Sequence, residues 1–204
     1  MRVALHLEAR ELAMGKAKGA VLLGPVKFLR KRRAAAAALL PQDMQHYLVE
    51  DVRLSAWYPE SHFIALVHAA AQLLPLPIGE AVEAMGLAGA QAHADVYGDL
   101  IHSLASTSSM FALWSAQHDT GELRGVLETR NSGRVELVGY DSTSETTCRL
   151  AAGYIRGGLL ANGLEHVEVE KLHCVLRGDA LCAWRARWKS SDGAPLSPGR
   201  RRTR

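Results

Sequence analysis

The sequence predicts an α+β fold: helices first, then a four-stranded antiparallel sheet with helices packed on one face. Two observations carry this. Apolar residues recur at helical spacing up to about residue 118, and after residue 120 two stretches alternate apolar and polar residues as β-hairpins do. The hairpins flank one helical segment, and a hairpin, helix, hairpin order places that helix on the apolar face of the joined sheet. With 204 residues, 48% of them hydrophobic, the chain is long enough to bury its own core. A single domain is expected over residues 1–190, mainly helical over 1–118 and built of the two hairpins and their helix over 119–190.

Taken in order, Pro25 to Leu40 reads as one helix stopped before Pro41. Pro59 to Leu74 is a second, with Phe63, Leu66, Val67, Ala70 and Leu74 on one face. Ile78 to Ala105 holds Gly86, Gly89 and Gly98 among small residues, which predicts broken or closely packed helices. GELRGVLET and RVELVGY flank RNSG, a hairpin with its turn at Arg130 to Gly133. Ser142 and Glu145 then stand at capping-box spacing before a helix that should stop at Asn162-Gly163. Its buried stripe is Cys148, Ala151, Ala152, Ile155 and Leu159, and Gly153 and Gly157 allow another element close to its backbone. In the second hairpin Cys182, Trp184, Ala186 and Trp188 share one face, with Arg185, Arg187 and Lys189 on the other. Residues 191–204 read as a disordered basic tail.

Formal net charge is +3, and the tail GRRRTR alone supplies four arginines, so the body is not basic. A nucleic-acid partner is not expected, because phosphate binding needs concentrated positive charge. The apolar runs are short or broken by His68, Gln72 and Pro75, so no membrane segment is expected. Acidic residues interrupt the N-terminal stretch where a secretion signal would be apolar, and the three cysteines are an odd count; both fit a reducing cytoplasm.

The cysteines leave several readings open. If the strands pair around Arg177-Gly178-Asp179, Cys174 faces Cys182, and opposed strand residues have Cβ atoms about 4.5 to 5.5 Å apart. A relaxed disulfide wants about 3.8 Å, whereas two thiolates on one zinc tolerate the wider gap. Cys148, early in its helix, points to the same sheet face. Buried unpaired cysteines are also ordinary small core residues, and with no Cys-x-x-Cys motif a redox pair is disfavoured.

Cys148, Gly153-Tyr154 and Gly157, then Cys174, Gly178-Asp179 and Cys182, resemble the 4-vinyl reductase domain family, closest to the effector-binding sensory domains of bacterial regulators that respond to aromatic compounds. The resemblance covers roughly residues 120 to 188. It implies a structural zinc on Cys148, Cys174, Cys182 and a glutamate. The family's glutamate position is Lys171 here, so Glu170, re-aimed by a β-bulge, is the expected fourth ligand, with His173 as the alternative. The N-terminal half, through KGAVLLGPVKFLRKR and WYPESHFIALVHAA, is similar to stand-alone myxobacterial proteins of unknown role.

The functional expectation is a zinc-stabilised cytoplasmic sensory domain that binds a hydrophobic or aromatic small molecule, without a catalytic or DNA-binding output of its own. His102, Trp114, His118 and Tyr140 are the candidate ligand contacts, with His93 beside them. An alternative is a homodimeric interaction module with a vestigial pocket and an unidentified protein partner. A third reading is a haem or gas sensor, since haem nitric-oxide-binding domains look distantly similar in fold. Their Tyr-x-Ser-x-Arg signature falls on Tyr140, Ser142 and Ser144, so the arginine that holds a haem propionate is missing, while His118 offers an axial ligand. Nothing resembles a nucleotide cradle, a Ser-His-Asp set or an open metal centre, so an enzyme is not expected.

Overall fold

The computed structural model describes the backbone of residues 15–103 and 114–189, and side chains over 15–94 and 114–189. The tail expected to be disordered lies outside the described residues. Strand β1 (Lys16–Lys18) leads into helices α1 (Gly19–Arg30) and α2 (Arg33–Leu39), a 3-10 helix (Gln42–Leu48), strand β2 (Trp57–Pro59) and helices α3 (Glu60–Gln72) and α4 (Ile78–Ser103). Then come β3 (Glu122–Thr129), β4 (Ser132–Val138), α5 (Glu145–Ala161), β5 (Glu165–His173) and β6 (Cys182–Lys189). The α+β class therefore holds, with the four-stranded antiparallel sheet in the order β3-β4-β6-β5.

The expected helix Pro25 to Leu40 is two helices, and Pro25 lies inside the first. The chain turns at Lys31 and Arg32, where Arg32 leaves helical geometry. The Ile78 to Ala105 stretch takes the closely packed alternative: α4 runs unbroken for 26 residues through its glycines, although a Cβ on Gly89 would meet nothing within 4 Å. Among them, Gly86 faces Leu150 of α5, while Gly153 and Gly157 of α5 face the carbonyls of Glu83 and Leu87. The small β1-β2 ribbon had no signal in the sequence, because each strand is three residues long.

Helix α5 is capped two residues later than the Ser142–Glu145 spacing implied: Ser144 is the N-cap and Glu145 the first helical residue. The Ser144 hydroxyl accepts the Thr147 N–H at 3.0 Å, satisfying one of the orphan donors of the first turn. The helix ends before Gly163, whose φ of +80° takes the left-handed turn that glycine adopts without a Cβ penalty. Ala151, Ile155 and Leu159 pack on the sheet face formed by Val135, Leu137, Cys182, Trp184, Ala186, Trp188 and Val167. The opposite sheet face is charged, with Arg185 3.1 Å from Glu128 and Arg187 3.4 Å from Glu170. A separate apolar cluster, including Leu22, Val26, Leu29, Leu66 and Val67, holds the N-terminal helices together. Among the described residues no helix is long and apolar enough to cross a membrane.

Candidate functional site

A cavity of about 440 Å³ lies where the two apolar clusters meet. Its walls come from α1, α3, α4, α5 and the helical turn at Trp114 to Gln117; no strand residue lines it. Helix α5 lies between the sheet and this open space, packing on the sheet with one side and lining the cavity with another. Leu23, Phe63, Val67, Met85 and Leu150 make the wall apolar, and Trp114, Gln117, His118, His93 and Tyr154 bring polar groups to it. The volume falls in the range of small-molecule sites, and a mainly apolar wall with a few polar groups is their usual composition.

Behind the wall sits a buried polar network that the sequence did not reveal. Glu60, the first residue of α3, is 0% exposed. Tyr140 donates its phenolic hydrogen to Glu60 Oε1 at 2.7 Å, and His118 Nδ1 lies 3.1 Å from both Glu60 oxygens. A buried carboxylate is tolerated only when its acceptor sites are filled, and here two side chains from distant segments fill them. Trp114 stacks on the His118 ring, with centroids 4.0 Å apart and planes 17° apart. His118 is thereby held by Glu60 at one ring nitrogen and by Trp114 on one face, and its ring borders the cavity.

A second polar pair lines the cavity. The Tyr154 hydroxyl and His93 Nδ1 are 3.1 Å apart. Burial lowers the His93 pKa, with the neighbouring His118 acting in the same direction. Burial also pushes Tyr154 up to about 12, and it raises Tyr140 well above its ordinary value, with the Glu60 charge adding to the effect. Tyr47, in the N-terminal helical cluster, is pushed up to about 12 by burial and then by Tyr58. The native state disfavours each phenolate, so stability is full below the ordinary tyrosine value of 10.0 and is lost as pH rises from there toward 12. Urea midpoints measured across that interval should fall, with phenolate absorbance from these three residues appearing together with unfolding.

Of the expected ligand contacts, Trp114 and His118 border the cavity, as does His93. Tyr140 stands behind His118 instead, bonded to Glu60. The His102 side chain lies outside the described residues. Glu60 was missed because a glutamate opening a helix after Pro59 reads as an ordinary first-turn acid.

The three cysteines converge. Cys148 Sγ is 3.7 Å from Cys174 Sγ and 3.8 Å from Cys182 Sγ, and Cys174 and Cys182 are 4.0 Å apart. All three are free thiols, and among the described residues they are the one group of metal-ligating side chains close enough for a single ion to bridge. The expected pairing of Cys174 with Cys182 across the hairpin does not occur. Strand β5 ends at His173, opposite Ala183, and Cys174 opens a short 3-10 turn whose N–H is taken by Asp179 at 2.6 Å. The bulge lies at Lys171 to His173, and it leaves Glu170 on the charged face with Arg187 and His173 3.5 Å from Asp179. Neither joins the sulfurs. Lys171 does: its ammonium is 3.1 Å from Cys148 Sγ and 3.5 Å above the Trp184 ring. Burial pushes the Cys148 thiol up to about 12 against the pull of Lys171. A lysine ammonium therefore stands beside the sulfurs where the zinc reading needs an acidic ligand.

No family model matches the chain, and no curated protein does. Solved structures do match. A mutant H-NOX protein from S. oneidensis in the Fe(II) ligation state is 16% identical, with a TM-score of 0.63, covering 86% of this chain and 97% of its own. An H-NOX protein from S. oneidensis in the Fe(II)NO state is 17% identical, with a TM-score of 0.58 over 85% and 99%. Fe(II) unliganded H-NOX protein from K. algicida is 9% identical, with a TM-score of 0.63 over 87% and 100%. These likenesses correct the resemblance to the 4-vinyl reductase domain, which nothing in the comparisons supports. The expectation of a structural zinc is corrected with it: the structures sharing the fold are described in iron states, and the fourth ligand that zinc required is turned away. The chain has the fold of the H-NOX proteins.

Proposed function

We propose that the protein is a sensory domain that binds a small molecule or gas in the cavity beside His118. The observation that carries this is the cavity itself: apolar walls, with His118 fixed by Glu60 and Trp114 and the His93–Tyr154 pair supplying polar contacts. The fold shared with H-NOX proteins supports it by moving weight to the gas-sensor reading among those left by the sequence. Indole, toluene and nitric oxide are suitable probes, followed by the shift of the thermal unfolding midpoint. Gly89 lines the space and a Cβ built there meets nothing within 4 Å, so Gly89→Phe places a ring in the cavity. The wild type should be stabilised by at least one probe and the variant should bind it at least tenfold more weakly. Equal binding by both would place the ligand elsewhere.

A haem-borne gas site is the second reading, favoured by His118, whose Nδ1 is backed by a carboxylate as axial histidines often are. The rest of the set does not fit a haem anchored through its propionates. Tyr140 directs its proton to Glu60, Ser144 caps α5, and the arginine position is occupied by that same serine. Only Ser142 Oγ, buried and without a partner, is left to receive a propionate, and the Glu60 carboxylate lies just behind Tyr140. The purified protein is therefore expected to be colourless and to show no Soret band after incubation with hemin. A band lost in His118→Ala would establish the haem reading.

A further inference from the structure

The cavity wall is uneven in both exposure and charge. Phe63, Val67, Trp114, His118 and Ala151 are buried and form its floor, whereas Gly24 and Lys27 of α1, Leu54, and Ala92 of α4 are exposed and mark its mouth. Among the described residues Lys27 is the only lysine or arginine on the wall, and no aspartate or glutamate lines it. Its ammonium takes part in no ion pair with the described residues. The end of α1 and the start of α2 add charge of the same sign: Lys31 and Arg33 are exposed, while Arg30 is turned to the Tyr47 and Glu50 carbonyls and lies 4.0 Å from Asp51.

At the floor the bias is reversed. The Glu60 carboxylate stands behind His118, 3.1 Å from its Nδ1, so a negative group carried inward would leave water and approach a like charge. At the mouth the same group would keep most of its hydration and meet an ammonium. Resting on the reading of this cavity as a ligand site, we infer that the ligand is an apolar molecule ending in a single carboxylate, held with its body on the floor and its carboxylate at Lys27.

Magnitudes divide the work between the two ends. Each methylene moved from water onto an apolar wall strengthens binding about fourfold, so the body supplies the affinity. An exposed ion pair adds only a few-fold, so Lys27 sets the orientation and the sign of the head. Lysine suits such a lip, because its methylene stem extends an apolar wall while the ammonium stays in solvent. The pair thereby avoids the desolvation that burdens buried ion pairs. Lys31, one helical turn beyond Lys27, and Arg33 draw anions toward the same end of the cavity, an attraction that salt screens.

One apolar chain carrying three different heads tests this by calorimetric titration of the intact protein at pH 7.5 and low salt: decanoate, decan-1-ol and decylammonium. The wild type should bind decanoate most tightly and decylammonium most weakly, and affinity should rise from hexanoate to decanoate. Lys27→Gln should weaken decanoate at least threefold and leave decan-1-ol within twofold, with circular dichroism unchanged because the side chain is exposed. Lys27→Glu should reverse the order of decanoate and decylammonium. 2-Naphthoate separates the sources of the carboxylate: tighter binding than decanoate assigns an aromatic acid, weaker binding a fatty chain, and Lys27→Gln should weaken whichever binds. A wild type that binds neither carboxylate, that fails to prefer decanoate to decan-1-ol, or whose Lys27→Glu variant keeps the wild-type order would each overturn the assignment. Should Gly89→Phe still weaken decan-1-ol or indole in such a case, the cavity reading stands without the carboxylate; probes bound alike by wild type and Gly89→Phe would overturn both.

Discussion

Replacing Glu60 with alanine should lower the unfolding free energy by about 2–6 kcal/mol, since two buried partners are each left unsatisfied at about 1–3 kcal/mol. The loss has little to do with packing area. Tyr140 and His118 both direct polar atoms at the carboxylate, at 2.7 and 3.1 Å, and all three side chains are buried. Truncation leaves a phenolic hydroxyl and an imidazole nitrogen without partners, and each incurs its full desolvation penalty. Glu60→Gln, which keeps one carbonyl acceptor, should cost less than the alanine variant, and Tyr140→Phe, which removes a donor cleanly, about 1–3 kcal/mol. Urea unfolding of the single and double variants separates the terms, since residues in one network do not add. The same variants report on the cavity: without Glu60 the His118 ring loses its anchor, so probe binding should weaken even at temperatures where the variant is folded. A Glu60→Ala protein within about 1 kcal/mol of the wild type would mean that the carboxylate is not the hub of this network.

How much of this was legible in the sequence depended on the range of the interaction. The alternation in β6 and the glycine that ends α5 are local signals, and each produced the element it implied, whereas the Ser142–Glu145 spacing marked the helix start but not its cap, which is Ser144. The convergence of Cys148 with Cys174 and Cys182 was also legible, because the apolar stripe of α5 and the inner face of β6 both pointed the sulfurs into one seam. What filled the fourth position was not. Strand parity around Glu170 to His173 turns on a bulge whose location shifts by a residue or two, and that shift exchanged an acid for a lysine beside the sulfurs. The Glu60 network was illegible for a different reason. Its members come from a helix start, the end of a helical turn and the loop after β4, separated by up to 80 residues, and none is unusual in its own segment. The cavity followed from the same long-range assembly: His118 was a candidate for the right reason, whereas Tyr140 was one residue layer too deep.

The second large effect is expected at Gly153. Helices α4 and α5 approach until backbone meets backbone, and a Cβ placed on Gly153 would overlap the carbonyl oxygen of Glu83, while one on Gly157 would lie 2.6 Å from that of Leu87. Backbone carbonyls cannot swing aside as side chains do, so the helices must separate along their shared length. Gly153→Val should therefore cost about 3 kcal/mol or more, at or beyond the upper end of overpacking penalties. Gly89→Ala supplies the contrast on the same pair of helices. Its Cβ meets nothing within 4 Å, and replacing a helical glycine relieves about 0.5–1 kcal/mol of unfavourable chain entropy, so that variant should be as stable as the wild type or more so. The cost at Gly153 should extend to function, because Gly86 and Met85 on α4 and Leu150 and Tyr154 on α5 border the cavity, and a wider helix spacing changes its shape. Gly153→Val is thus expected to lose stability and probe affinity together, whereas Gly89→Phe loses affinity alone. If both variants lost affinity without a change in stability, the close helix contact would not be what fixes the cavity wall.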